Sequence, residues 1–70
     1  MARTLDKIRT GKKLRALRGN RTQKVVADAI GVSTMAISLY ESGKRSPSDS
    51  TKIALAEYFG ETVQDIFFTF

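Results

Sequence analysis

Apolar residues recur along the chain at the three- and four-residue spacing of short amphipathic helices, and glycine or proline interrupts them at short intervals. The breaks at Gly19-Asn20, Gly31, Gly43 to Pro47 and Gly60 leave five segments, and only the last four residues could be read as a strand. The first segment predicts a helix over about residues 5–18, with Thr4 as N-cap, Asp6 near the positive end of the helix dipole and Gly19 past the end. Thr10, Leu14 and Leu17 share one face of that helix, whereas Leu5 and Ile8 lie almost opposite. Either the helix begins nearer Arg9, or Leu5 and Ile8 touch something other than the main core. The second helix is expected from Gln23 to Ile30 after the N-cap Thr22, with Val26, Ala27 and Ile30 inward. The third starts after Ser33 and stops before Gly43, with Ala36, Ile37 and Tyr40 on one face and Thr34, Met35, Ser38, Leu39 and Ser42 on the other. Pro47 bars a helix from running through it, and Ser48 can cap a fourth whose apolar residues are Ile53, Leu55, Ala56 and Phe59. A fifth, short helix over about 63–68 follows Thr62, which stands three residues before Asp65 in capping-box spacing. The expectation is an all-α, compact five-helix bundle: one domain over residues 1–70, with residues 1–4 as a flexible arm.

Seventy residues bury only a modest core, and there is no cysteine or histidine to add a disulfide or the common kinds of zinc site. Thiolate chemistry and histidine general-base catalysis are excluded with them, and no metal or cofactor is expected. Paired carboxylates, a glycine-rich phosphate loop, or a nucleophile beside a base are not evident either, so an enzyme is not expected. No run approaches the roughly 18 apolar residues of a membrane span, and cysteine-free composition fits a cytoplasmic protein. The net charge of +5 is unevenly placed. Arg3, Lys7, Arg9, Lys12, Lys13, Arg15, Arg18, Arg21 and Lys24 face only Asp6 within residues 1–24, a local balance of +8. Residues 46–70 set Lys52 against Asp49, Glu57, Glu61 and Asp65, a balance of −3. Such asymmetry exposes one positive region, readable as a phosphate-facing surface, as a merely solvated helix, or, to a lesser degree, as a surface for anionic membrane.

The stretch from Gln23 to Tyr40 narrows this choice. Two short helices joined by Gly31-Val32-Ser33 must cross steeply. Small Ala27 permits their approach, Val32 fills the gap beneath the turn, and Ile37 and Tyr40 pack the third helix inward. The outward stripe of that helix carries no acidic residue, which suits entry into a DNA major groove.

The ordered set Thr22-Gln23, Ala27, Gly31-Val32-Ser33, Ile37-Ser38, Tyr40-Glu41, Gly43-Lys44-Arg45, Pro47-Ser48 and Asp65-Ile66-Phe67 resembles the phage-repressor helix-turn-helix family, the Cro-like or lambda-repressor-like, XRE-type DNA-binding domains. The resemblance spans about residues 9–68 and implies a five-helix bundle that binds double-stranded DNA as a homodimer on a two-fold operator. It implies that Thr34, Met35, Ser38 and Leu39 face the bases. It also implies that Gln23 grips the DNA backbone at the second helix's start, and that Lys44, Arg45 and Ser46 follow the backbone after the third. Arg21, Lys24 and Ser33 join them as candidate phosphate contacts, Ser33 being first of all a cap. It further implies an Arg18–Glu41 pair joining the first helix to the end of the third. Two departures are visible: a shorter link between the first two helices, and Asp49 where an apolar residue is common.

Met35 and Leu39 cannot hydrogen-bond base edges as Arg or Gln does, so their functional reading is contact with thymine methyl groups, and the plain alternative is packing. Ile66 or Phe67 is expected to close the core. Phe68 and Phe70 are then left over with Leu5 and Ile8; the four either form a dimer patch or cover one another within one subunit. A seventy-residue chain has no room for a ligand-sensing domain, so no small-molecule ligand is expected. The sequence therefore points to a Cro-like regulator, prokaryotic or phage-encoded, with repression as the default. The rival is a protein-interaction module, an antitoxin or anti-repressor keeping the same fold. RNA has little support, for want of exposed aromatic stacking platforms.

Overall fold

The computed structural model describes residues 2–68, and their side chains from Asp6 onward. Among these residues there are five helices and no strand: α1 (Ala2–Arg18), α2 (Gln23–Ile30), α3 (Thr34–Glu41), α4 (Asp49–Phe59) and α5 (Val63–Phe67). Four of the helices begin in the same way. The hydroxyls of Thr22, Ser33, Ser48 and Thr62 accept hydrogen bonds from the backbone N–H groups of Val25, Ala36, Thr51 and Asp65, three residues on, at 3.1, 3.0, 3.4 and 3.0 Å. Each bond satisfies one of the donors that a helix start leaves without an intrahelical partner. Between α2 and α3 the chain turns at Gly31, whose φ of 77° lies where a side chain is strained, and whose N–H closes onto the Ala27 carbonyl.

The core takes at least one residue from every helix: Leu14 from α1, Val26 and Ala27 from α2, Ala36, Ile37 and Tyr40 from α3, Leu55 and Ala56 from α4, and Ile66 and Phe67 from α5. No single helix could bury its apolar face alone, so the bundle forms as a unit. Both Ile66 and Phe67 are inside. Thr10, Leu14 and Leu17 face the interior, as their shared face requires.

One expectation is corrected and one open alternative is closed. Helix α1 begins at Ala2, so residues 2–4 are helical backbone where an arm was expected. Leu5 and Ile8 therefore do not mark a late start at Arg9; α1 continues through them, and Ile8 turns outward, 39% exposed. On α4, Leu55 and Ala56 enter the core, whereas Ile53 is exposed.

One packing feature has no counterpart in the apolar pattern. Gly11 is buried in the middle of α1, and a Cβ there would lie 2.3 Å from the Glu41 carbonyl oxygen and 2.7 Å from that of Tyr40. Helix α1 thus crosses directly on the C-terminal carbonyls of α3, a contact only glycine permits. One turn earlier, the backbone and side chain of Ile8 meet Gly43, just beyond the end of α3.

Candidate nucleic-acid interface

The pair α2 and α3 presents one helix outward over the other. Val26 and Ala27 of α2 are fully packed against the core, as are Ala36, Ile37 and Tyr40 of α3. Val32 lies half-buried beneath the turn, and its N–H donates to the Ala27 carbonyl at 3.0 Å. With those three positions inward, the opposite stripe of α3 is left to solvent by helical geometry.

That stripe carries the residues expected to face bases. Thr34 is exposed, Met35 is 67% exposed, and Ser38 and Leu39 are partly exposed. Leu39 belongs neither to the core nor to the apolar side chains packed against it. Met35 is thus open to solvent, whereas Leu39 is open only in part. The Leu39 carbonyl instead receives the N–H groups of Lys44 and Arg45 at 3.0 and 3.3 Å, which folds the loop after α3 back onto the helix end. Lys44, Arg45 and Ser46 on this loop are all exposed.

A three-residue clamp fixes α3 against the first two helices. Arg18 meets Glu41 in a two-point pair, Nε to Oε2 at 2.6 Å and Nη2 to Oε1 at 3.0 Å. The Gln23 amide donates to the same Oε1 at 3.1 Å. The Arg18 and Glu41 side chains are only 16% and 7% exposed. The hydrogen bond to Glu41 holds the Arg18 guanidinium above its ordinary pKa against partial desolvation, so it stays charged. Planar, bidentate geometry fixes angle as well as distance. The end of α1, the start of α2 and the end of α3 are thereby locked together, and the shorter link between α1 and α2 still allows it.

The remaining phosphate candidates are not brought together. Gln23 and Ser33 open α2 and α3, Ser33 with its hydroxyl on the Ala36 amide. Lys24 pairs with Asp28 at 2.8 Å on the exposed face of α2, and that carboxylate raises its pKa. Arg21 is committed elsewhere. Its guanidinium donates to the carbonyls of Arg18 and Leu17 at 3.2 and 3.0 Å, where α1 leaves its last acceptors open. It also lies over the rings of Tyr58 and Phe59, at 5.3 and 5.4 Å. Among the helix-α1 cations, Lys13 donates to the carbonyl of Asp65 on α5. Of the four chain-end apolar residues, Phe68 is 57% exposed and Ile8 39% exposed, whereas the side chain of Leu5 and all of Phe70 lie outside the described residues.

The sequence reasoning missed two residues. Gly11 was detectable as a lone glycine inside a helical pattern, the usual mark of a close packing contact. Tyr58 had no visible signal, because its partner Arg21 is distant along the chain.

Comparison with known proteins places this geometry. A helix-turn-helix family model matches residues 12–66. No curated protein matches. Among solved structures, the chain is similar to the restriction-modification controller protein C.AhdI from Aeromonas hydrophila. The TM-score is 0.82 at 25% identity, with 90% of this chain and 98% of that one covered. The capped turn at Gly31–Ser33, the outward stripe of α3 and the match over most of the chain lead to one assignment: this chain belongs to the XRE-type helix-turn-helix family of the Cro and lambda-repressor kind, and is a DNA-binding transcription regulator.

Proposed function

We propose that the protein is a Cro-like repressor that acts as a homodimer on a two-fold operator, in the cytoplasm of a prokaryote or of a phage-infected cell. The observation that carries this reading is the stripe Thr34, Met35, Ser38 and Leu39. It is accessible and free of charge, and it is followed at once by Lys44 and Arg45. Charged side chains are absent where bases would be read and present where phosphates would be gripped. Thr34 and Ser38 supply short donors and acceptors, and Met35 and Leu39 supply apolar surface for thymine methyl groups. Gln23 and Ser33, at the starts of α2 and α3, and Lys44, Arg45 and Ser46 after α3 contact the sugar–phosphate backbone. Repression needs no further surface, since occupancy of an operator can itself exclude polymerase.

The dimer is formed by the chain-end patch, of which Phe68 and Ile8 are the accessible described members. The likeness to a controller protein favours a second reading, control of a restriction-modification locus.

Selection of bound fragments from random duplex DNA tests the proposal. A two-fold motif with half-sites about one helical turn apart is the expected result. A single asymmetric site would refute the homodimer, and recovery of no enriched sequence would refute specific reading. For the second reading, reporter transcription from the promoter of a neighbouring restriction gene must respond to the protein.

A further inference from the structure

A groove of about 290 Å³ opens between α1, the loop after α3, the start of α4 and the end of α5. Asp6, Lys7, Thr10, Arg45 and Lys52 are among its lining, with the rings of Tyr40, Phe67 and Phe68. The lining thus carries three cations and one carboxylate. The ion pairs among the described residues are Arg18–Glu41 and Lys24–Asp28, so Lys7, Arg45 and Lys52 form no direct ion pair with Asp6, and the groove keeps an excess of positive charge. The Lys52 ammonium sits over the rings of Phe68 and Phe67, at 5.1 and 5.6 Å, which holds it at the groove. Thr10 and Tyr40 are more than nine-tenths buried. Neither hydroxyl is bonded to another described residue, yet no buried side-chain polar atom is left unsatisfied. Both hydroxyls therefore reach open space, and the groove is the space they line.

We infer that this groove seats a phosphate of the bound DNA, with Lys7 and Lys52 as its added cations beside Arg45 and the hydroxyls of Thr10 and Tyr40 as donors. The inference rests on the DNA-binding reading and extends it. The groove shares Arg45 and Ser46 with the backbone-following loop, and it adjoins the end of α3 where α1 crosses on the Tyr40 and Glu41 carbonyls. The strand that passes this loop continues over the groove. Unpaired cations and unbonded hydroxyls match an anion with several acceptor oxygens. Among the many cations of α1, this singles out Lys7 and leaves Lys13 on α5.

The test is the salt dependence of binding to one selected duplex, for the wild type, Lys7→Gln/Lys52→Gln and Thr10→Val/Tyr40→Phe. Losing one seated phosphate flattens the slope of log K against log [salt] by about 0.9. The lysine variant is expected to show that change with an unaltered melting temperature. The hydroxyl variant is expected to bind several-fold more weakly at wild-type slope. An unchanged slope in the lysine variant, while the wild type binds, overturns the groove assignment and leaves DNA reading intact. A wild type that binds no duplex overturns both. Melting in inorganic phosphate, against chloride at equal ionic strength, forms the last arm. A stabilisation lost in the lysine variant, together with an unchanged DNA salt slope, would assign the groove to a free anion and overturn the DNA phosphate.

Discussion

At the residue scale, Leu39 and Gly11 separate two kinds of importance. Leu39 is partly exposed and outside the buried core, so part of its surface is open to a partner. Leu39→Ala is expected to weaken specific DNA binding by about 1–3 kcal/mol, the usual cost of a lost base contact. Nonspecific binding should stay nearly constant. Titration of a selected and a scrambled duplex checks this, and a sharp drop in melting temperature would show Leu39 to be a packing residue. Gly11 is the reverse case. Gly11→Ala gains about 1 kcal/mol of helix propensity, but its Cβ would press on the Glu41 and Tyr40 carbonyls at 2.3 and 2.7 Å. Backbone atoms cannot rotate aside, and overpacking of this kind costs about 1–3 kcal/mol or more. A net loss of stability in urea is therefore expected, and a variant as stable as the wild type would show that α1 can lift off α3 freely.

At the scale of elements, the clamp of Arg18, Glu41 and Gln23 fixes how α3 is presented. Arg18→Met keeps the stem but leaves the little-exposed Glu41 carboxylate with the single Gln23 amide. A destabilisation of about 1–3 kcal/mol is expected from stranding a charged acceptor, read from denaturant melts. Specific affinity should fall further than stability alone explains, since α3 loses its fixed angle. Equal stability in Arg18→Met and the wild type would mean that water replaces the guanidinium without cost. The capped starts of α2 to α5 were legible in the sequence, because Thr22, Ser33, Ser48 and Thr62 act on neighbours three residues away. The start of α1 was not: the local pattern placed it near residue 5, and the helix begins at Ala2.

At the scale of the whole molecule, the exposed aromatic surface borders the cationic groove, since Phe68 lines the groove and is itself exposed. The chain-end patch is proposed to make the dimer, and Phe68 is its most accessible described member. Phe68→Asp should convert a dimer to monomer in sedimentation at micromolar concentration, while the fold survives because Ile66 and Phe67 keep the core closed. An unchanged sedimentation coefficient would place the interface elsewhere.

The sequence by itself determined the five helices, the helix-turn-helix between Gln23 and Tyr40, and the face that α3 turns outward. These depend on apolar spacing and on caps, which are local. The Arg18–Glu41 pair was legible as well, but only through family resemblance, since twenty-three residues separate the partners. Tertiary structure alone decided which of many similar cations does what. Arg21 lies over two rings of α4 and Lys13 reaches α5, whereas Lys7 and Lys52 gather with Arg45 around an open groove. A lysine's sequence neighbourhood records its charge but not its partner, and long flexible side chains find partners only once distant helices have packed.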